Sequence, residues 1–550
     1  MKTTLSLSSR TLFRNVLPLA AIALALANAP ARAAVPAAEK LLPDDTLVML
    51  SVPDMAKLRD IQKASPQAKL WDDPAMKPFK DSFISKLNEE LIKPLERELG
   101  VQLDNYTSLP QGQLTFAVTQ NNWMTAESQV PGFILLLDAK DKSGLLKTNL
   151  NDLKRKWLDA GKTLKTEKIR DVEFSVLPLS SKDMPDSLKK FFSEEDEDAS
   201  EETNKTPQAE LVFGQFQSLL IVGNSTKAVE KIAVHLTGGS APALADLAAF
   251  ESTRVSMFRD APIFGWVNAK AFLDLLTKGM EKESNSSNPM MAMFNVSKIL
   301  SATGIGAIRT FAFNIQSSPD GTSAQLFIGA PESARQGVLK LFPVSGKDSS
   351  PPPFVPADVV KFERSRMDGQ KAWTTIKSIL KDVSPEMSGS LDFIVGTANE
   401  AAKQKDPNFD IEKNLFGNLG DDFLSYEKAA QGATEAELNA PPSLFLIGSP
   451  HADQFASAMK AVLTLMNPQA GNPKEREFLG RKIYTVPAPS VPMAGTANSG
   501  KNLNYSASGG YVALTTDIGM LEEYLRSSEG QQKTLRETAG LTEATAKVGG

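Results

Sequence analysis

The feature that most constrains how this chain can fold is that it repeats itself. Four patterns recur in the same order roughly three hundred positions apart, and ordered self-similarity marks a fold built from copies of one unit. Pro43-x-Asp45-x-Leu47-x-Met49 returns as Pro356-x-Asp358-x-Val360-x-Phe362. The alternation reads in both as a strand with one buried face. Phe133-Ile134-Leu135-Leu136-Leu137 returns as Leu444-Phe445-Leu446-Ile447-Gly448, each entering a loop and then an amphipathic helix. The first of those helices carries Leu146, Leu150, Leu153 and Trp157 on one stripe and stops at Gly161; the second carries Phe455, Met459, Val462 and Met466. Phe174-x-Val176 matches Tyr484-x-Val486. Leu219-Leu220-Ile221-Val222 and a helix led by Ser225 match Tyr511-Val512-Ala513-Leu514 and a helix led by Asp517, both leaders being good N-caps.

The spacing between copies shortens between residues 178 and 213, where the first carries the acidic run from Ser193 to Glu202. That run reads as an insertion in a surface loop, where extra length costs little. Also in the first copy, a long helix opens with Asp73 as cap and Pro74 in its first turn and closes at Gly100. Its stripe is Met76, Phe79, Phe83, Leu87, Leu91, Leu95 and Leu99, with a kink or break expected at Pro94.

Between the copies, Phe311-x-Phe313-x-Ile315 and Leu326-x-Ile328 flank Asp320-Gly321, a dipeptide suited to a tight hairpin turn. The expected architecture is α+β: two related modules of mostly antiparallel sheet backed by helices, at 34–249 and 357–527, with a smaller α+β unit at 250–345 between them. A Pro-rich linker at 346–356 containing Pro351-Pro352-Pro353 should be extended and stiff. The second copy ends near Leu525 with no counterpart of the intermediate unit, so 528–550 is expected to be a weakly anchored tail.

Leu42-Pro43-Asp44-Asp45-Thr46-Leu47, Val52-Pro53-Asp54, Trp71-x-Asp73-Pro74-Ala75-Met76-Lys77-Pro78-Phe79 and the Asp320-Gly321 hairpin carry a resemblance. Over most of the chain beyond the leader, the sequence resembles an uncharacterised domain-of-unknown-function family of exported, repeat-built bacterial proteins. The matching positions are strand starts, helix caps and turns. The resemblance implies no activity, cofactor or catalytic residue.

Lys2, Arg10 and Arg14, an apolar stretch from Val16 to Ala27, and Ala31-Arg32-Ala33 have the layout of a secretory signal peptide over 1–33, cleaved before Ala34. No later stretch approaches the roughly 18 apolar residues of a membrane span, so a periplasmic or extracellular protein without a transmembrane segment is expected. The cysteine count is zero, which removes disulfides, thiolate nucleophiles, Cys-bound metals and a cysteine-linked lipid anchor. The net charge of −5 becomes more negative without the leader's four bases, a poor balance for binding polyanions. Nucleic acid is not an expected partner.

Each catalytic signature fails on residue or context. Gly495-x-x-x-x-Gly500-Lys501 continues with Asn502 where a P-loop needs Ser or Thr, and prolines 487, 489 and 492 precede it, so it reads as an inter-strand loop. His235 and His451 are the only histidines, too few for a three-histidine zinc site. No G-x-S-x-G occurs, and the S-x-x-K spacings Ser187 to Lys190 and Ser425 to Lys428 lack a K-T-G companion. Counting a calcium loop from Asp196 through Asp198 and Glu202 puts Glu201 and Pro207 at its sixth and twelfth positions, where Gly and Glu are required. Met290, Met291 and Met293 are soft donors without His or Cys beside them, and read as packing. No catalytic, cofactor-binding or metal residue is assigned, and no cofactor is expected. The expectation is an exported envelope protein that binds or scaffolds an envelope or extracellular partner without catalysis. The alternative is a carboxylate-dependent hydrolase with a site between modules, whose paired acids spacing cannot locate.

Overall fold

The computed structural model describes residues 35–99, 102, 104–123, 131–179, 209–284, 296–318, 321–341, 347–404, 406–432, 434–438, 440–466, 473–487, 502–527 and 533–548. The leader, the acidic run, Ser187 to Lys190, the three methionines and the Gly495 to Lys501 segment lie outside them. The chain divides into two units, one of residues 1–267 with 312–326 and one of 268–311 with 327–550.

Short alternating segments form the strands of the first sheet: β1 (Thr46–Val52), β2 (Leu114–Thr119), β3 (Gly132–Asp138), β4 (Lys165–Ile169), β5 (Val172–Leu179), β6 (Ala209–Phe216), β7 (Leu219–Gly223), β8 (Ile263–Val267), β9 (Thr310–Ser318) and β10 (Gly321–Gly329). Their order is β10-β9-β8-β1-β2-β3-β7-β6-β5-β4. Two antiparallel meanders, β1-β2-β3 and β4-β5-β6-β7, are joined where β3 pairs with β7, from Ile134 opposite Gly223 to Asp138 opposite Leu219.

Between β1 and β2 come α1 (Met55–Ala64), α2 (Pro66–Trp71), α3 (Lys77–Leu87) and α4 (Lys93–Leu99); α5 (Ser143–Asp159) follows β3, and α6 (Thr226–Leu236) and α7 (Ala248–Thr253) follow β7. Helix α5 sets Leu146, Leu150 and Trp157 against Leu177 and Phe213 on one face of the sheet. Helix α6, capped by Ser225, buries Val229 and Ile232 on the other. It lies so close that a Cβ at Gly223 would sit 2.6 Å from a Val229 methyl.

The stretch between the copies divides. Its strands β8 to β10 extend the first sheet beyond β1, whereas α8 (Ala269–Ser284) and α9 (Val296–Thr303) belong to the second unit. There α9 packs on α10 (Gly369–Val383), which is followed by α11 (Pro385–Lys403).

The second sheet contains β11 (Val359–Arg366), β12 (Asp422–Lys428), β13 (Ser443–Gly448), β14 (Lys474–Phe478), β15 (Arg481–Pro487), β16 (Asn502–Ser508) and β17 (Tyr511–Thr515). Its order, β11-β12-β13-β17-β16-β15-β14, is strand for strand that of β1 through β4 in the first sheet. A register shift follows the first residue of β1 and, at the equivalent place, of β11. The helices correspond too. Helix α12 (Ala452–Met466) packs Phe455 on Tyr484, Tyr505 and Val512, and α13 (Ile518–Ser527) packs Leu521, Tyr524 and Leu525 on Leu424, Tyr426 and Leu446.

Three expectations are corrected, and the interruption expected near Pro94 is given its form. Sequence similarity aligned Leu137 with Gly448, but the ladders align Asp138 with it: Asp138 lies opposite the first residue of β7, and Gly448 opposite the first residue of β17. A slip of one residue moves every side chain to the other face, so the corrected register decides which groups share a site.

The long helix of the first copy is three pieces, because a wider π-type turn at Asn88–Ile92 precedes Lys93-Pro94, where proline lacks the N–H of a regular turn and crowds the preceding one. Asp73 does cap its start, accepting from the Ala75 N–H at 2.8 Å. Its first turns, however, meet solvent: Phe79 is 57 % and Phe83 49 % exposed, and their rings pack on Trp71 instead of a sheet. Periodicity fixes which residues share a face, not what the face meets.

The Pro-rich segment is part of the second unit's core and not a free linker. Val355 is fully buried beside Leu446 and Leu521, and Phe354 packs edge-on against Tyr511 and Tyr524.

The expected loose tail is likewise tied down over its described residues 533–548. Pro356 bridges Thr534, and the Leu535 N–H donates to the Val355 carbonyl at 2.8 Å. The first unit does the same with Pro43, Ala243 and the Leu244 N–H to Leu42 bond, also 2.8 Å. The second module therefore runs past Ser527 to α14 (Leu541–Val548), which stands where α7 does. Leu535 is buried in the core, so Leu535→Ala should cost the second unit about 2–4 kcal/mol by chemical denaturation. A loosely attached tail would leave the midpoint unchanged.

Candidate functional site

The main cleft of the first unit, about 1250 Å³, opens at the ends of β1, β2 and β3. Its floor is set by the pleat. Ser51 on β1, Gln113 just before β2 and Asp138 at the end of β3 all point to the buried face and all line the cleft. Ser51 shares a 2.7 Å hydrogen bond with Thr115, and the Gln113 amide donates to the Pro36 carbonyl at 3.1 Å. Asp138 Oδ1 accepts the Lys140 N–H at 2.9 Å. Gly112 makes room for this carboxyl, since a Cβ there would lie 2.1 Å from Asp138 Oδ2. Phe258, Ala261, Pro262 and Phe264 form an apolar wall, with the two phenylalanine rings stacked at 4.2 Å.

The charged side chains around the floor are Glu39, Asp54, Asp141 and Asp260 against Lys57, Lys140 and Arg254. Several already have partners. Lys140 Nζ lies 2.8 Å from Asp54, and Arg254 is held by both oxygens of Glu251 at 2.7 and 2.8 Å. Burial pulls the Asp54 carboxyl upward, but the Lys140 ammonium and the Lys57 and Ala56 N–H groups outweigh it and hold the group below its ordinary value. Lys140, Gln217 and Asp260 each adopt a left-handed backbone at the rim. For Gln217, in the turn joining β6 to β7, this is what the turn demands, because the equivalent turn of the second sheet has Gly509-Gly510 with positive φ.

The equivalent end of the second sheet is closed. The ladders place Arg364 where the first sheet has Ser51, Asp422 where it has Gln113, and Tyr511 where it has Leu219. Arg364 grips Asp422 with two hydrogen bonds of 3.0 and 2.7 Å, the Tyr511 hydroxyl donates to the same carboxylate at 2.7 Å, and Arg366 approaches to 3.1 Å. Residues of the Pro-rich segment cover the pair, with Arg364 donating to the Ser350 carbonyl at 2.6 Å. Burial raises the Asp422 carboxyl, but the bonds from Arg364 and Tyr511 and the two arginine charges prevail and set it below the usual range. Burial, and then the bond to Asp422, pushes the Tyr511 phenol up to about 12.

The residues weighed from sequence are not brought together. His235 is structural: its ring nitrogens lie 2.7 Å from the Leu41 carbonyl oxygen and 3.0 Å from that of Ala241, fastening α6 to the segment before β1. His451 stands in a separate hollow of about 450 Å³ at the start of α12. Ser425 and Lys428, three apart on one strand, point to opposite faces; Ser425 meets Glu363 and Lys428 meets Glu523 and Asp358. The segment with Gly495 joins the antiparallel neighbours β15 and β16, so no helix follows its lysine as a P-loop requires. Among the described residues no three His, Cys, Asp or Glu side chains converge as metal ligands, and no helix is long and apolar enough to cross a membrane.

Sequence reasoning missed Ser51, Gln113 and Asp138. The signal that could have found them is the exchange of polar for charged residues at equivalent strand ends, which needs the corrected register to be read. No protein-family model, curated protein or solved structure matches the chain.

The Asp422 cluster yields a pH dependence. A carboxyl whose folded value lies below its unfolded one stabilises the fold above the unfolded value and loses that contribution as pH falls through the folded one. Asp422→Asn, which leaves Arg364 buried without its counter-charge, should destabilise the second unit by about 3–5 kcal/mol at neutral pH. Urea titrations should show the gap to the parent protein narrowing in acid; an equal gap at both pH values would contradict the assignment.

Proposed function

We propose that this is an exported, non-catalytic binding protein whose ligand enters the cleft of the first unit. The observation that carries the reading is the contrast between equivalent sheet ends: one is sealed by an internal Arg364–Asp422 pair, the other leaves a buried polar floor open beside an apolar wall. Placed polar groups beside apolar and aromatic side chains are what orient a ligand in small-molecule sites, and here a charged rim is added to them. The hydrolase alternative needs a carboxyl displaced upward to act as an acid at neutral pH. Wherever a described carboxyl is displaced from its ordinary value, Asp54 and Asp422 included, the direction is downward. Export rests on the leader pattern ending at Ala31-Arg32-Ala33.

Lys57 is an exposed helix position on the rim, so Lys57→Trp should obstruct the cleft without disturbing the core. Screened by thermal shift against a mixed small-molecule library, the parent protein should be stabilised by compounds that leave Lys57→Trp unmoved. Ester, glycoside and peptide substrates should not be turned over; turnover lost in Lys57→Trp would make the cleft an active site. Expressed with its leader in a Gram-negative host, the protein should appear in the periplasm beginning at Ala34, and full-length cytoplasmic product would remove export from the reading.

A further inference from the structure

We propose that the cleft of the first unit selects a ligand bearing a guanidinium group, which docks on Asp138. The inference rests on the reading of this cleft as a ligand site and adds the chemistry of what enters it.

Asp138 is only 8 % exposed, yet it is in ion-pair contact with no described cation. Among the described residues, its carboxylate accepts the backbone N–H of Lys140. The ammonium of that same lysine turns to Asp54, and Arg254 is occupied by Glu251. A buried carboxylate gains most from a cation that also supplies hydrogen bonds. The lining as a whole carries five acids against three bases, so the cleft favours a positive guest.

The second unit indicates which cation. There the floor position equivalent to Ser51 bears Arg364, and its guanidinium makes two parallel bonds to a buried carboxylate on the neighbouring strand. In the first unit both halves of that pair are altered. The arginine is replaced by the short Ser51, and the acid stands one strand further on, at Asp138, where the second sheet has Gly448. The space and the charge that Arg364 supplies internally are therefore missing, while a buried carboxyl remains. A planar guanidinium also suits the remaining wall, because it stacks on aromatic faces and the Phe258 and Phe264 rings border the cleft. Ala261 and Pro262 add apolar surface to the same cleft, suited to an alkyl chain behind the cation.

The test is titration calorimetry with N-acetylarginine methylamide and with its citrulline analogue, which has the same shape and no charge. The arginine probe should bind about tenfold tighter or more. Asp138→Asn, whose amide oxygen can still accept the Lys140 N–H, should erase that preference, while Asp60→Asn outside the cleft should not. Ser51→Arg should abolish binding by supplying the missing cation from within. Melting curves of each variant establish that it is folded, and Asp138→Asn alone decides the matter if Ser51→Arg is not. Arginine binding that survives Asp138→Asn overturns the inference. So does tighter binding of the citrulline probe, or of a lysine probe, lost in Lys57→Trp, although that result preserves the cleft as a ligand site. No binding by any compound in either this series or the library screen overturns both.

Discussion

Each sheet is two meanders held together by one ladder. In the first, five residue pairs between β3 and β7 join the early meander to the late one; in the second, β13 and β17 do the same. The partners are far apart in sequence, so forming this ladder carries a loop-closure cost, which burial beneath the helices on both faces helps to offset. That is why α5 and α6 sit where they do. Helix α5 covers the meander to which it leads, helix α6 lies over the ladder itself, and Gly223 lets its Val229 approach the backbone closely. The same ladder ends at Asp138 opposite Leu219, so the residue that shapes the cleft is fixed by the pairing on which the sheet depends.

The ends of the two sheets meet one problem with different answers. Strand ends expose backbone and polar side chains to a partly dry environment, where an unpaired charge is costly. The second sheet neutralises this internally, with Arg364, Arg366 and Tyr511 around Asp422 and Phe354 laid over Tyr511. The first sheet uses uncharged Ser51 and Gln113 as its floor and keeps one carboxyl beside them. Since a buried ion pair often contributes little net stability against a well-packed neutral alternative, the closed end is better understood as a filled site than as a requirement of the fold.

Most of the architecture was legible because alternation and helical period survive in single elements. The strands around Leu47 and Phe362, the helix with Leu146, Leu150 and Trp157, and the caps at Ser225 and Asp517 all follow from local patterns. What was not legible depends on partners distant in sequence. Leu444 to Ile447 is apolar at every position, so its phase carries no mark of which side faces the core, and the register that pairs Asp138 with Gly448 comes only from β2 and β7 and their counterparts. Pro351 to Pro353 has the composition of a stiff spacer; burial of Val355 and its bond from Leu535 are tertiary facts. The stripe of Phe79 and Phe83 was visible, but nothing local tells whether such a stripe meets a sheet or water. The candidate site was least legible, since its three floor residues come from three strands and resemble ordinary strand ends.

Two modules of like topology in one chain provide a control that a single domain lacks. If an open end with a buried carboxyl were needed for this sheet to form, both units would have one. Instead the same strand order, the same early irregularity in the first strand and the same bridge from Pro43 or Pro356 are kept, while Ser51, Gln113 and Asp138 give way to Arg364, Asp422 and Gly448. The parts the two units share are compatible with either kind of sheet end. The parts that differ converge, in the first unit, on a single hollow beside an apolar wall. The turn at Lys140 engages one Asp138 oxygen, and recognition of a charged guest would employ the carboxylate as a whole, because the cost of desolvating it is met in advance and the guest gains a fixed, low-dielectric partner.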